Sequence, residues 1–572
     1  MTHLKAGYVL DERTRDGAHR QGRNYWWAYI AEVLDRLGLT AVEIPAAQLP
    51  QRLHEVSLIL LGPGDASSVA SELDGWVRAG GTLIACSPEG LDALFGNEFA
   101  SRLPQPGGEF SVSSELLLQD TAFTTGIHSP VYPDKPLLIA SPIRTVKCLE
   151  SVVIGQTAAG AVITGRSHGE GWAFYFGFDL AQTFWVIQQG RPVDADHDGD
   201  GYWRTPDGVV IEDREPEIAY TDELLFLLQN MVGLQPHPLI HQLPPQGDAV
   251  PDVVLYYGGD DEGDVGLRVP AAAFMQNRGL PYHINCMSKD GEFALGPEEA
   301  QGLAASGTEV SLHYNFMDGF VHPGGFEETD VESQTKLFLE RFGRLPVCAN
   351  CHWCRWTGWA EPALWMMKQG VKADNSFIHR RADVLNPVNS MGFSFGTSYP
   401  FFFWTDHTLG NRRIEFLELP IIAYELGYEG DRTDSPQLER ALTLARHYQS
   451  TMNFFYHPFY IVRDSGCRAA VDRLLSLIEE QRILALHSTP DGVARWWLDR
   501  SNTRIEDVKL DGGRLSFLAS TPSPSGFIAK IPLGSLTPSE VGFPHRVIEK
   551  FGRRWLMLVL PEGETQVEVV IR

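Results

Sequence analysis

An apolar run that begins at Val253 (VVLYYGG) closes on two adjacent acids, Asp260 and Asp261. Such a run reads as a buried strand, and carboxylates side by side at its end repel each other unless a cation sits among them. Two further runs end in the same manner. Residues 307–313 (GTEVSLH) end in His313, and residues 453–458 (NFFYHP) carry His457. Acids and histidines at strand ends of one α/β region are the ingredients of metal-assisted hydrolysis, in which a cation polarises a carbonyl while a carboxylate and an imidazole move protons.

Elements of the right length lie between these strand ends. Residues 270–279 (PAAAFMQNRG) predict a helix, 281–287 (PYHINCM) a strand and 296–307 another helix. This order, with the strand-end pair Asp260-Asp261, resembles the polysaccharide deacetylase (NodB-like) family over roughly residues 250–500. The resemblance implies a distorted (β/α) barrel with Asp260 as general base and Asp261 as metal ligand, Glu262 being interposed before Gly263. It implies His313 as a second ligand. The run His313-Tyr-Asn-Phe-Met317 lacks the family's second histidine at its usual spacing, so the third ligand stays open between His322 and His352. By the same resemblance Arg355 orients the base, His457 protonates the leaving group and Asp374 orients that histidine. Trp353 and Trp404 are candidates to line a sugar cleft.

The implied activity is hydrolytic removal of an acyl group from an amino sugar or acetylated saccharide, with a divalent metal, zinc by preference, as cofactor. Two other classes stay open. A glycosidase would need a second carboxylate across the cleft, for which Glu418 in residues 416–420 (FLELP) is the candidate partner of Asp260. A saccharide-binding protein without turnover is compatible with the altered second motif.

Two other clusters could hold metal. Residues 194–201 (DADHDGDG) space Asp194, Asp196, Asp198 and Asp200 as in calcium loops, although the twelfth position is Thr205 where an EF-hand carries Glu. The alternatives are a solvated acidic loop or an insertion that reaches the cleft of the following region. Cys348, Cys351 and Cys354 form a CxxCxxC run. The position of a fourth cluster ligand is Gly358, and a closed zinc site would need His352 beside the three thiols. The favoured reading is a set of reduced cysteines shaping a strand end.

The chain has 572 residues, 43% hydrophobic, enough for about three domains. Residues 1–235 alternate short strands and helices, as in 7–10, 24–37, 56–61, 69–78 and 82–86, which predicts a flavodoxin-like parallel sheet covered on both faces. With residues 169–180 (GEGWAFYFGFDL), this region resembles class I glutamine amidotransferase-like domains. The family's nucleophile elbow has flanking glycines. Cys86 stands in Ile84-Ala-Cys86-Ser-Pro and has none, so the region reads as a non-catalytic scaffold. Residues 236–251 are expected as a linker, 252–500 as the barrel, and 501–572, with six short alternating runs, as an antiparallel β-sandwich.

A net charge of −26, from 73 acids against 47 bases, and no basic run argue against nucleic acid as a partner. The absence of a long apolar stretch argues against a membrane span, and the charged segment after the first ten residues does not read as a secretory signal. The expectation is a cytoplasmic enzyme of a small-molecule or saccharide substrate, compatible with a homo-oligomer.

Overall fold

The computed structural model describes residues 2–380, 388–429 and 436–572. Within them the chain is a mixed α/β protein with several sheets, one of them largely parallel between residues 253 and 488 and others antiparallel. Six strands of the largely parallel sheet lie side by side in chain order, each parallel to the next: Val253–Asp261, Tyr282–Lys289, Thr308–Tyr314, Cys348–Cys351, Ala373–Asp374 and Arg413–Glu418. On the other edge of Val253–Asp261 run Thr451–Phe455 and then Ala423–Tyr424, again parallel. Parallel neighbours need long crossovers, and helices Arg268–Gln276, Pro297–Ala305, Glu328–Phe342 and Glu361–Lys368 supply them.

All nine residues of Val253–Asp261 are buried, which is why this strand reads as a continuous apolar run rather than an alternating one. Because the strands run in the same direction, their carboxyl ends gather on one side and bring Asp260, His313 and the turn after Cys351 together. Gly259 makes a close approach possible there. A Cβ at that position would lie 1.8 Å from the carbonyl oxygen of Tyr456, so any side chain would push His457 away from Asp260.

In the first 235 residues, strands Ala41–Pro45, Ala6–Leu10, Leu58–Leu61, Thr82–Cys86 and Gly171–Phe176 are parallel in that spatial order. The expected parallel sheet is only part of what forms. Gly171–Phe176 also pairs antiparallel with Gly160–His168, and the sheet continues through Val152–Thr157 and Ser114–Leu118 to Leu137–Ile139. Trp27 packs at the end of the parallel strands, its indole Nε1 donating to the Val9 carbonyl at 2.8 Å.

All six expected carboxy-terminal runs are strands, joined by a seventh at Pro538–Val541 and arranged in two antiparallel sheets. Each sheet borrows a strand from elsewhere. Thr2–His3 pairs with Arg504–Asp511, and Leu239–Ile240 pairs with Phe527–Pro532. The stretch expected as a linker is therefore buried from His237 to Pro245. Arg500, itself buried, ties it down by donating to the carbonyls of Asp35, Arg36, Ile240 and His241 at 2.8–3.0 Å. Among the described residues no helix is long and apolar enough to cross a membrane.

Candidate active site

Successive side chains on a strand point to opposite faces, so Asp260 and Glu262 share one face and Asp261 takes the other. The structure follows this alternation. Asp260 and Glu262 line a cleft of about 500 Å³, whereas Asp261 turns into the protein and accepts from Arg268 Nε at 2.6 Å. Both partners of that pair are buried, and Asp261 is not a member of the ligand cluster expected to contain it.

Glu262 stands in its place. Its carboxylate and the imidazoles of His313 and His352 offer ligand atoms that all lie within 4.8 Å of one another. His313 is the penultimate residue of the strand Thr308–Tyr314. His352 follows Cys348–Cys351 in a tight turn where Trp353 and Cys354 both adopt left-handed φ, 57° and 54°, a costly conformation for residues with a Cβ. Both ring nitrogens of each histidine are buried without a hydrogen bond, although His352 Nε2 lies 3.2 Å from Glu262 Oε1. Both nitrogens of His313 and Nδ1 of His352 therefore carry a desolvation cost that a cation would relieve, while Nε2 of His352 faces Glu262. Two imidazoles and one carboxylate with room for a further ligand suit catalytic zinc. Burial, reinforced by the neighbouring His352, holds His313 well below the ordinary imidazole range and hence neutral, while contact with His352 brings Glu262 down to about 2 against its burial. Both are in the protonation state a metal requires.

Beside this cluster sit further titratable groups. Asp260 Oδ1 accepts from Asn285 Nδ2 at 2.9 Å, and its Oδ2 lies 3.6 Å from His313 Nε2 and 3.9 Å from His457 Nε2. Burial raises Asp260 to about 6, opposed by the charge of His457 and the bond from Asn285. His457 caps the helix Pro458–Arg463, and its backbone N–H and Nδ1 both meet Glu425 Oε1, at 2.7 and 2.6 Å. Burial alone would depress this imidazole. Glu425, with Asp260 and Glu262 behind it, outweighs burial and raises it to about 9. An ionised carboxylate and a protonated imidazole thus face one cleft between about pH 6 and 9.

The remaining expected residues divide sharply. Trp353 is 47% exposed and lines the cleft, but Trp404 is buried against Tyr29 and Trp185. Arg355 Nη1 lies 2.9 Å from His322 Nδ1, and its Nη2 donates to the Gly324 carbonyl, so Arg355 does not touch Asp260 and His322 is no ligand of the cluster. Asp374 accepts from Ser376, and its carboxyl, raised to about 7 by burial, lies against that of Glu418 rather than against His457. Glu418 is itself buried, accepts from Phe377 N at 3.0 Å and does not line the cleft, so it does not face Asp260 across it. Glu425, not Asp374, is the carboxylate that bonds His457. Its sequence signal was faint: one acid in residues 423–428 (AYELGY) among aromatics.

The acidic loop does reach the cleft, where Asp200 and Arg204 form part of the lining, 2.5 Å apart. Asp196, Asp198 and Asp207, rather than Asp194, come together. Their oxygens are engaged: Asp196 accepts from Gly199, Asp200 and Gly201 N, and Asp207 from His197, Asp198 and Arg204 N. Among the described residues the CxxCxxC thiols form no ligand cluster with His352. Cys86 is buried at a strand end, and burial pushes its thiol far above the ordinary range, away from nucleophilic thiolate.

No family model and no curated protein matches the chain. Solved structures resemble parts of it. A β-galactosidase from Rahnella sp. R3 aligns at 12% identity over 32% of this chain and 31% of its own, with a TM-score of 0.25. An exo-β-1,4-mannosidase from Opitutaceae bacterium strain TAV5 aligns at 13% identity over 32% of each chain, with a TM-score of 0.23. A GMP synthase-like protein from Thermoplasma acidophilum aligns at 12% identity over 41% of this chain and 95% of its own, with a TM-score of 0.24. The chain spans about a third of the length of the β-galactosidases it matches. At these scores the likenesses carry no argument about function.

Proposed function

We propose that this chain is a metal-dependent hydrolase that removes an acyl group from an amino sugar or an acetylated saccharide. The reading includes a polysaccharide deacetylase-like distorted (β/α) barrel at residues 252–500, between a flavodoxin-like amidotransferase-type scaffold and a β-sandwich. The observation that carries it is the convergence in one cleft of the Glu262, His313 and His352 cluster, in which both nitrogens of His313 and Nδ1 of His352 are buried without a hydrogen bond, with Asp260 and the His457–Glu425 pair.

Glu262, His313 and His352 would hold the cation. When bound, a divalent metal such as zinc supplies Lewis acidity toward the acyl carbonyl and lowers the pKa of water. Asp260 takes a proton from the attacking water as its oxygen bonds to the acyl carbon. His457, held protonated by Glu425, gives its proton to the departing nitrogen or oxygen as the C–N or C–O bond breaks. The products are a carboxylic acid and a free amine or alcohol. Trp353, exposed at the rim, offers an aromatic face of the kind sugars pack against.

The test is to load the purified chain with zinc or cobalt, count metal per chain, and follow acetate release from N-acetylated and O-acetylated oligosaccharides. One tightly held ion, with release that a chelator stops, is the expected result. A chain that retains no divalent metal, or that cleaves glycosidic bonds while leaving acetyl groups in place, overturns the reading.

A further inference from the structure

A second cluster joins His283 and Glu309, on strands that also carry cleft residues but toward their amino ends, to Asp491 of the helix Pro490–Ser501. His283 sits two residues before Asn285 on Tyr282–Lys289, on the same face of the strand. His283 Nε2 lies 2.8 Å from Asn285 Oδ1, its Nδ1 lies 3.1 Å from Glu309 Oε2, and Asp491 Oδ1 is 3.7 Å away. Arg495, 57% exposed, reaches Glu309 at 3.6 Å and Asp491 at 3.1 Å. A single row of polar groups therefore runs from Asp260 in the cleft through Asn285 and His283 to the surface.

The chemistry of the partners determines where each proton sits. Ionised Asp260 only accepts, so Asn285 must turn its NH₂ toward it and its carbonyl oxygen toward His283. That oxygen needs a donor, so Nε2 carries a proton. Glu309 also accepts, so Nδ1 carries one too, and the ring is an imidazolium with two carboxylates, Glu309 and Asp491, beside Nδ1. The Arg495 cation balances the second carboxylate. Asn285 is 1% exposed and His283 0%, and such a row is more costly to bury than apolar side chains of the same volume. What the row provides is direction. Among the described residues the bond from Asn285 is the one hydrogen bond that Asp260 receives, and Asn285 can offer it only while His283 holds its amide the right way round.

We propose that His283 is a positioning residue that, through Asn285, holds the Asp260 carboxylate in its working orientation. The proposal rests on the hydrolase reading for the role of Asp260, and its experiment separates the two. Replacing residues that orient the groups touching a metal or substrate typically costs about 10- to 100-fold. His283→Leu should therefore lower kcat about tenfold, with KM and bound metal unchanged. Asn285→Ala should do the same, and the double variant should lose no more than either single one. His283→Gln, whose amide can still donate to Asn285, should recover most of the rate. Crystal structures give a readout that needs no activity: the Asp260 carboxylate should turn away from its present position in His283→Leu and return in His283→Gln. Unchanged kcat with Asp260 in place, or losses that add in the double variant, would overturn the proposal. If the native chain hydrolyses no acylated saccharide, the hydrolase reading fails, and the Asp260 orientation in the variants still decides the positioning role. If His283→Leu does not fold, Asn285→Ala and His283→Gln carry the test, and a fully active Asn285→Ala sinks it.

Discussion

Among the described residues three clusters have the side chains of a cation site, and two of them, the acidic loop and the cleft, differ in what their atoms already do. In the loop around Asp196, Asp198 and Asp207, Asp196 and Asp207 spend their oxygens on backbone N–H groups, and an arginine lies against Asp200 and within 4.0 Å of Asp198. In the cleft, both nitrogens of His313 and Nδ1 of His352 are buried without a hydrogen-bond partner, and Nε2 of His352 faces only Glu262, a member of the same cluster. Ligand types at suitable spacing describe both regions equally. Unused lone pairs held at fixed positions describe only the second, because a fold that buries polar atoms without partners loses free energy unless something else occupies them.

The largest effect that could break this contrast is loss of the metal. His313→Ala and His352→Ala should abolish retention of zinc by equilibrium dialysis, while Asp198→Ala leaves it at the native level; the reverse pattern would exchange the roles of the two regions. Next is the base. Asp260→Asn should keep its metal and lose on the order of 10²–10⁴ in turnover of an acetylated oligosaccharide. Native-like turnover would remove Asp260 from the mechanism.

Asp261→Ala sharpens the comparison by separating ligation from stability. It leaves buried Arg268 with only the longer ion pair to Glu299 at 3.6 Å, so the cost should approach but not exceed the ~3–5 kcal/mol of a broken buried pair, to be read by denaturant unfolding, with metal content unchanged in the folded fraction. Loss of metal without loss of stability would return Asp261 to the ligand set.

Smaller in effect is pH. Asp260 must be ionised and His457 protonated, so the rate should rise through about pH 6 and fall through about pH 9, with a bound cation moving both limbs downward. The sign for stability follows from the same shift. A histidine raised from 6.5 to about 9 contributes fully below its unfolded value and loses that contribution as pH rises through 9. In Glu425→Gln the basic limb should move toward neutrality, and an unmoved limb would show that another group holds the proton. The smallest expected effect is none: Cys86→Ser should leave hydrolysis as it was.

Much of the architecture was legible because its signals are local. Strands at 253–261, 282–289 and 308–314 and the helices between them announce themselves by apolar runs and punctuation, and the six carboxy-terminal strands by alternation. Asp260, His313 and His457 were readable as strand-end polar residues. Glu262 was within reach as well, since alternation along Val253–Asp261 already places it, not Asp261, on the face of Asp260.

Other assignments depended on distances across the chain. Glu425 reaches His457 from 32 residues away, and its left-handed φ of 49° turns it inward. The His352 ring comes to the cluster through a turn of two strained residues that no propensity would favour. Arg355, Asp374 and Trp404 have the right types in the right order, yet packing gave each a different partner. The sequence by itself determined which residues end strands and which faces they share, because period and burial are written in neighbouring residues. Only the tertiary structure decided which of those polar ends remain without partners. Satisfaction of a buried nitrogen or oxygen depends on groups hundreds of residues apart arriving, or failing to arrive, within 3 Å.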